Sequence, residues 1–225
     1  MALLTSVHWE TTTPAMRQVL RFVGRCPYAA RFYLAGGTAL ALRLGHRRSV
    51  DLDFFSQHDE VTQATRREIV RALIPLDPQV LEEADGNLLL QLADLHVGFF
   101  SYGYPLLAPT DRLEGVALAS LVDIGLMKLD ALAGRGNRKD FYDVYVIAQT
   151  MPLAELLSQG AIKYPYMRDF EMMTLESMVL FEDADRHVTP ELFIDAPWAQ
   201  VKQFFITQAR ALGREWFGIQ GKAKK

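Results

Sequence analysis

The sequence of 225 residues has a single cysteine, Cys26, and contains no long hydrophobic run. One cysteine excludes an internal disulfide and a zinc site built from several cysteines. No apolar segment approaches the roughly 18 residues that span a bilayer. The N-terminal residues MALLTSVHWETTT lack the basic and apolar regions of a secretory signal. We therefore expect a soluble, cytoplasmic protein without a membrane partner.

A strong excess of one charge is also missing, because 24 basic and 27 acidic residues give a formal net charge of −3. This balance implies no general attraction to nucleic acid, although a local basic groove is compatible with it. The five histidines form no His-Glu-x-x-His pattern, which argues against a zinc hydrolase, and neither a Gly-x-Ser-x-Gly motif nor a Walker lysine loop occurs.

The hydrophobic pattern predicts an α+β protein with two parts. Residues 31–35 and 49–55 are strand candidates, residues 59–73 favour a helix, and three strand-like runs follow up to residue 102. From residue 113 onward the apolar spacing is helical in almost every window. We predict a mixed sheet with flanking helices in residues 1–112 and a helical domain in residues 113–225 that completes the active site.

The stretch AGGTALALRLGHRRSVDLDFF, residues 35–55, carries the clearest chemical signal. Gly36 and Gly37 permit a tight turn, Thr38 is a plausible N-cap, and Gly45 would end the helix. Further on, two aspartates lie one residue apart in a predicted strand, so they share one face with Cα atoms about 6.5–7 Å apart.

Two carboxylates at this spacing have two interpretations. They can lie on the solvent face of an edge strand, or they can bind a divalent ion such as Mg²⁺ or Mn²⁺, which relieves their repulsion. The glycine turn favours the second interpretation, because backbone N–H groups at a helix N-terminus bind phosphate. Turn, helix and strand together predict a phosphate site beside a metal site at Asp51 and Asp53.

A second set of charged residues lies on two predicted helices, at 120–134 and 139–149. Lys128 borders the apolar stripe of the first helix, and Arg135 projects from nearly the same side about 10 Å further along the axis. Both cations suit a triphosphate. The alternatives are a snorkelling lysine, which we favour less for Lys128, and an arginine placed at the end of the helix by its dipole. Asp140 could be an N-cap, whereas Asp143 is deeper in a buried helix and needs Lys128 or Arg135 as a cationic partner.

Three segments together resemble one family: residues 35–55, GFFSYGYPLL at 98–107 and LMKLDALAGRGNRKDFYDVYVI at 126–147. They are similar to the AbiEii/AbiGii nucleotidyltransferase toxins, a branch of the DNA polymerase β-like superfamily. The resemblance implies a polymerase β-like sheet followed by a helical domain. It implies that Gly36, Gly37 and Thr38 bind the triphosphate, that Asp51 and Asp53 are catalytic metal ligands, that Lys128 and Asp143 are catalytic, and that Arg135 and Asp140 contribute to nucleotide binding.

The same resemblance implies a toxin that transfers a nucleoside monophosphate from an NTP to an acceptor, with RNA and tRNA 3′ ends favoured, under restraint by a cognate antitoxin. The third carboxylate common in this superfamily would fall near Gly98, and glycine cannot supply it. Asp94 and His96, on the same predicted strand, are the nearest substitutes. The alternative is therefore a catalytically impaired nucleotide- or RNA-binding protein of the same fold. The sequence leaves the oligomeric state open.

Overall fold

The computed structural model describes residues 6–218. The chain divides into two compact units, Met1–Ile124 and Gly125–Lys225. The fold class predicted from the sequence is confirmed, because the first unit contains a mixed sheet with helices and the second is helical. The predicted division at 112/113 falls inside the sixth strand of the sheet, whereas the compact units divide after Ile124.

A seven-stranded mixed sheet dominates the first unit. Its strands are β1 (Tyr33–Ala35), β2 (Asp51–Ser56), β3 (Gln79–Ala84), β4 (Asn87–Leu92), β5 (Leu95–Ser101), β6 (Asp111–Leu113) and β7 (Val116–Leu118). Their order across the sheet is β3-β4-β5-β2-β1-β7-β6. The pairs β2–β5 and β1–β7 are parallel and the other neighbours are antiparallel.

Three α-helices accompany the sheet in the first unit: α1 (Pro14–Val23), α2 (Gly36–Leu44) and α3 (Gln63–Leu73). Helix α1 begins where the Thr13 side chain accepts a hydrogen bond from the backbone N–H of Met16, which is a normal N-cap. Helix α2 ends at Gly45, whose φ of 65° places it in the left-handed region, as the sequence predicted.

The β6–β7 hairpin corrects the sequence-based expectation of helix from residue 113 onward. Its turn at Glu114 and Gly115 has two positive φ angles, 50° and 89°, which suit a tight hairpin. Arg43 ties the hairpin to α2, because its guanidinium donates to the Asp111 carboxylate at 2.8 Å and to the backbone carbonyl of Ala119 at 2.9 Å. Strands of three residues carry too few alternations for a periodicity signal.

The second unit consists of helices. They are α4 (Leu121–Gly134), which begins within the first unit, then α5 (Arg138–Ile147), α6 (Leu153–Ser158), α7 (Gly160–Lys163), α8 (Phe170–Ser177), α9 (Glu182–Arg186) and α10 (Trp198–Phe217). The ring of Phe141 on α5 is the centre of an aromatic core. It packs edge-on against the rings of Trp198 and Phe205, with centroids 5.6 and 5.1 Å away.

Candidate active site

The two aspartates of β2 lie on one face of the sheet. Burial alternates along the strand, so Asp51 and Asp53 are partly exposed while Leu52 and Phe54 are fully buried. The core therefore fixes the strand through its apolar side chains, and the carboxylates remain accessible to a ligand. This is the arrangement that the sequence predicted for the pair.

The glycine turn reaches the second of these carboxylates. Strand β1 ends at Ala35, the register partner of Asp53, and α2 begins at Gly36, whose φ is 68°. A Cβ atom at Gly36 would lie 3.0 Å from Asp53 Oδ2. Only glycine supplies both this backbone conformation and the close approach, so the first turn of α2 and the acidic strand are in direct contact.

Gly37 accommodates a residue that the sequence analysis did not place in the site. A Cβ atom at Gly37 would lie 2.5 Å from Arg47 Nη2, and Arg47 is only 4% exposed. Its Nη1 donates to the backbone carbonyl of Arg48 at 3.0 Å. A buried guanidinium therefore lies against the first turn of α2. The basic run His46–Arg47–Arg48 was visible in the sequence, but nothing local indicated that its middle member folds back onto the glycines.

Thr38 is not the N-cap that the sequence predicted. The N-cap position belongs to Ala35, and no side chain within the described residues caps α2. The Thr38 hydroxyl instead donates to the backbone carbonyl of Asp51 and lies 2.8 Å from the Ser49 hydroxyl. Thr38 therefore ties the helix to the acidic strand, a contact over 13 residues that local pattern could not reveal.

The third-carboxylate position is occupied by an aromatic ring. Gly98 is the register partner of Asp53 on β5. A Cβ atom at Gly98 would lie 3.5 Å from Asp53 Oδ1, but only 2.4 Å from ring atoms of Phe100. The ring of Phe100 thus covers Gly98 at the place where a third acid would reach the pair.

The two substitutes suggested for that acid differ in position. Asp94 lies in the turn before β5, which corrects its expected position on the strand. His96 is on β5 opposite Asp51 in register, and its Nδ1 lies 3.4 Å from Asp51 Oδ1. Of the two, His96 is the one that the structure brings to the aspartates.

The residues fit a divalent ion that arrives with a triphosphate. Within residues 6–218, no group of three or more His, Cys, Asp or Glu residues is arranged to hold a metal ion. Mg²⁺ commonly uses one or two carboxylates together with phosphate oxygens and water. Asp51 and Asp53, which share the partly exposed face of β2, meet that requirement.

The second unit contains a charged cluster, and all four residues singled out in this part of the sequence belong to it. Lys128 Nζ is 2.9 Å from Asp140 Oδ1 and 2.6 Å from Asp143 Oδ2. Arg135 binds Asp140 through Nε and Nη2 at 2.8 and 2.9 Å. Lys128, which is itself only 4% exposed, is therefore a cationic partner of the buried Asp143.

The electrostatics of this cluster favour the ionised carboxylate. Burial raises the pKa of Asp140, but the hydrogen bonds and charges of Arg135 and Lys128 outweigh it, so the pKa is lowered from its usual value. The N-cap of α5 is Asn137 rather than Asp140. The side chain of Arg135 is 52% exposed, so it can also offer N–H groups to an anion.

A cavity of about 490 Å³ in the first unit is lined by residues other than the two aspartates. Its lining includes Tyr33, at the opposite end of β1 from the glycine turn, and Gln57 and His58, which follow β2. Neither Asp51 nor Asp53 lines it. No helix among the described residues combines the length and apolar character needed to cross a membrane.

Sequence comparison relates the chain to a known protein family and to a protein of Aquifex aeolicus. A family profile described as the nucleotidyl transferase AbiEii toxin of a type IV toxin–antitoxin system matches residues 19–87. The uncharacterized protein aq_aa25 of Aquifex aeolicus strain VF5 is 36% identical over 179 residues, covering 77% of this chain and 84% of that protein. The profile match spans the glycine turn, the acidic strand and the first part of the sheet.

Solved structures share the fold. A candidate nucleotidyltransferase from H. pylori is 15% identical, with a TM-score of 0.51, and the match covers 92% of this chain and 97% of that one. The enzyme ANT(2″)-Ia, solved with adenylyl-2″-tobramycin, is also 15% identical with a TM-score of 0.51, over 65% of this chain and 95% of that one. At this level of identity the likeness shows the fold alone.

Proposed function

This chain belongs to the AbiEii family of nucleotidyltransferase toxins, and we propose that it transfers a nucleoside monophosphate from an NTP to an RNA acceptor in a metal-dependent reaction. Unpaired 3′ ends, those of tRNA above all, are the proposed acceptors. The observation that carries the proposal is the contact between the α2 glycine turn and the carboxylate of Asp53, because it joins a phosphate-binding element to a metal-binding one.

In this proposal Asp51 and Asp53 hold Mg²⁺ or Mn²⁺, and the N-terminal amides of α2, at Gly36 and Gly37, bind the triphosphate. A divalent ion held there would neutralise phosphate charge and would lower the pKa of the acceptor hydroxyl. That oxygen forms a bond to the α-phosphorus, pyrophosphate leaves with the electron pair of the broken bond, and the hydroxyl proton passes to solvent. Thr38 acts as a positioning residue, since its hydroxyl joins α2 to β2.

The cluster of the second unit enters the proposal through the family resemblance. We assign Lys128 and Asp143 to catalysis, and Arg135 and Asp140 to nucleotide binding. The half-exposed guanidinium of Arg135 supports phosphate binding. Lys128 is held by two carboxylates, so its charge is fixed in place rather than free to follow a substrate.

The covered third-carboxylate position favours a second candidate function. Because the Phe100 ring lies over Gly98, the chain could bind a nucleotide or RNA without catalysing nucleotide transfer. In that case the NTP would bind and the Asp51→Asn variant would change its affinity, but no product would form.

Incubation with each of the four α-labelled NTPs, Mg²⁺ and bulk RNA tests whether the chain transfers a nucleotide to RNA. We expect wild type to label RNA with at least one nucleotide, and Asp53→Asn to abolish the labelling. Asp77→Asn is the matched control, because this exposed aspartate precedes β3 at the edge of the sheet and should retain activity. NTP binding without labelling by any nucleotide would favour the second function.

The toxin role and the antitoxin partner are separate parts of the proposal. Induced expression of wild type in the cytoplasm of a host should slow growth and extend RNA 3′ ends, whereas Asp51→Ala should do neither. Equal growth inhibition by both proteins would reject toxicity through nucleotide transfer. Co-expression of a cognate antitoxin should restore growth of the wild-type strain.

A further inference from the structure

Four aromatic side chains continue the sheet face that carries the aspartates. Phe55 follows Asp53 by two residues on β2, and its register partner on β5 is Phe100, with ring centroids 5.2 Å apart. The ring of Tyr102 is 5.5 Å from Phe55, and that of Tyr104 is 5.1 Å from Tyr102. We call Phe55, Phe100, Tyr102 and Tyr104 the aromatic row.

The aromatic row lies on the less buried face of the sheet, where the ring of Phe55 also stacks on that of Tyr33 with centroids 6.1 Å apart. Its four side chains are all partly exposed, whereas Phe54 and Phe99, on the opposite face of the same strands, are fully buried and stack with centroids 5.0 Å apart. Single exposed aromatic residues are common on proteins, but rings in mutual contact form a continuous apolar surface that points to a ligand.

Phe100 is the member of the aromatic row that lies next to Asp53. Its ring reaches the position that a Cβ atom at Gly98 would occupy, and that position is 3.5 Å from Asp53 Oδ1. An aromatic edge therefore lies beside Asp53 where related enzymes would be expected to carry an acid. A planar group stacked on this ring would lie next to the reacting centre.

The direction from which the acceptor hydroxyl attacks the NTP decides which of the two substrates lies against the Phe100 ring. This inference rests on the proposed function. The pyrophosphate end of the NTP lies at the glycine turn, which follows β1 on one side of β2, whereas β5 lies on the other side. In-line displacement brings the attacking hydroxyl from the side opposite the leaving group. We propose that Phe100 and Phe55 stack the terminal nucleobase of a single-stranded acceptor RNA, which holds its ribose hydroxyl beside Asp53.

Stacking has a consequence for specificity. Every nucleobase has a π-face, so an aromatic platform accepts different bases. It requires an unpaired base, however, because a paired base is already stacked within its duplex. The aromatic row should therefore select for an unpaired end and discriminate weakly between terminal bases.

Binding of a short single-stranded RNA, labelled with fluorescein at its 5′ end, tests the assignment in the full chain. The RNA is prepared with its 3′-terminal base and with an abasic ribose in its place. Wild type should bind the intact RNA about tenfold more tightly, a factor typical of base–aromatic stacking. Phe100→Leu should bind both RNAs equally, and Phe100→Tyr, which keeps the ring, should retain the tenfold difference.

Two further variants serve as controls. Tyr166→Leu removes a tyrosine that is 89% exposed outside the row and should leave the tenfold difference intact. If Phe100→Leu does not fold, Phe55→Leu replaces it, because Phe55 is the other ring of the proposed platform. An abasic penalty as large as that of wild type in Phe100→Leu, or in Phe55→Leu where it replaces that variant, would overturn the assignment.

The assignment and the proposed enzyme activity can fail separately. Because RNA binding needs no turnover, a base-dependent affinity that requires Phe100 would support the aromatic row even if wild type transferred no nucleotide. Where transfer is measurable, Phe100→Leu should raise the KM for RNA and leave the KM for NTP unchanged. A rise in the KM for NTP alone would assign the ring to the incoming nucleotide and would overturn our proposal.

Discussion

The carboxylate of Asp53 lies directly against the backbone of Gly36, so that a Cβ atom on the glycine would stand 3.0 Å from Asp53 Oδ2. The two residues are brought together by the antiparallel register that pairs Ala35 with Asp53. The contact explains why the turn into α2 needs glycine at this position. It also places the positive end of a helix dipole beside an acidic side chain.

Gly36→Ala should damage both the fold and the site. The positive φ of 68° makes any Cβ unfavourable by about 1–2 kcal/mol, and the new methyl would also displace Asp53. We expect a lower urea midpoint and at least a tenfold loss of nucleotide transfer. The control is Gly103→Ala, since a Cβ there meets nothing within 4 Å. Equal urea midpoints and equal transfer activities of the two variants would contradict a special role for Gly36.

Thr38→Val should remove the hydrogen bond that joins α2 to the acidic strand. The Thr38 side chain is 1% exposed, and its loss would leave the Asp51 carbonyl without this hydroxyl donor, at a cost of about 1–3 kcal/mol. The free energy of unfolding measures the effect directly. Thr38→Ser keeps the hydroxyl, so its free energy of unfolding should remain close to that of wild type. If Thr38→Ser were as unstable as Thr38→Val, the methyl group and not the hydroxyl would be the stabilising part of the side chain.

These contacts mark where sequence reasoning succeeded and where it failed. The turn at Gly36, the helix stop at Gly45 and the shared face of Asp51 and Asp53 follow from local rules on positive φ and strand alternation, and the structure shows all of them. Burial alone also indicated that Asp143 needs a cation, which proved to be Lys128.

The missed features depend on contacts and rotamers that no local sequence pattern encodes. Arg47 folds back onto Gly37, and the hydroxyl of Thr38 bonds across to β2 instead of capping α2. The sequence showed that Gly98 lacks a carboxylate, but not that Phe100 would cover the position, because that depends on the rotamer of a neighbouring side chain. Short strands such as β6 and β7 are held by the sheet rather than by their own pattern.

Lys128→Met should destabilise the second unit strongly. The variant removes the cation between Asp140 and Asp143, both fully buried, and breaking a buried pair in this way costs about 3–5 kcal/mol. Lys202→Met is the matched control, because this lysine also pairs with an aspartate, Asp185 at 3.1 Å, but is 32% exposed. Its loss should cost about 0–1 kcal/mol. Similar urea midpoints for the two variants would argue against the buried network.

Stability in acid should depend on Glu114 in the β6–β7 turn. Hydrogen bonds from Arg21 and then Arg17, together with their charges, lower the pKa of Glu114 to about 2 from its usual 4.5. Because the folded-state pKa lies below the unfolded one, this stabilisation is present above pH 4.5 and is lost as the pH falls towards 2.

Urea unfolding across that pH range checks the effect. The difference in unfolding free energy between wild type and Glu114→Gln should be largest above pH 4.5 and should disappear near pH 2. Replacing both arginines by glutamine should flatten the wild-type profile in the same window. A difference that stays constant from neutral pH to pH 2 would mean that the carboxylate charge contributes nothing.

Calorimetric titration with a non-hydrolysable NTP analogue, with Mg²⁺ and with EDTA, tests most directly whether Asp51 and Asp53 bind a metal ion together with the triphosphate. Wild type should bind the analogue with Mg²⁺ and lose at least tenfold in affinity when EDTA removes the ion. The Asp51→Asn/Asp53→Asn double variant should show the same weak binding under both conditions. Tight binding by wild type in EDTA, or undiminished Mg²⁺-dependent binding by the double variant, would contradict the metal-centred account of this site.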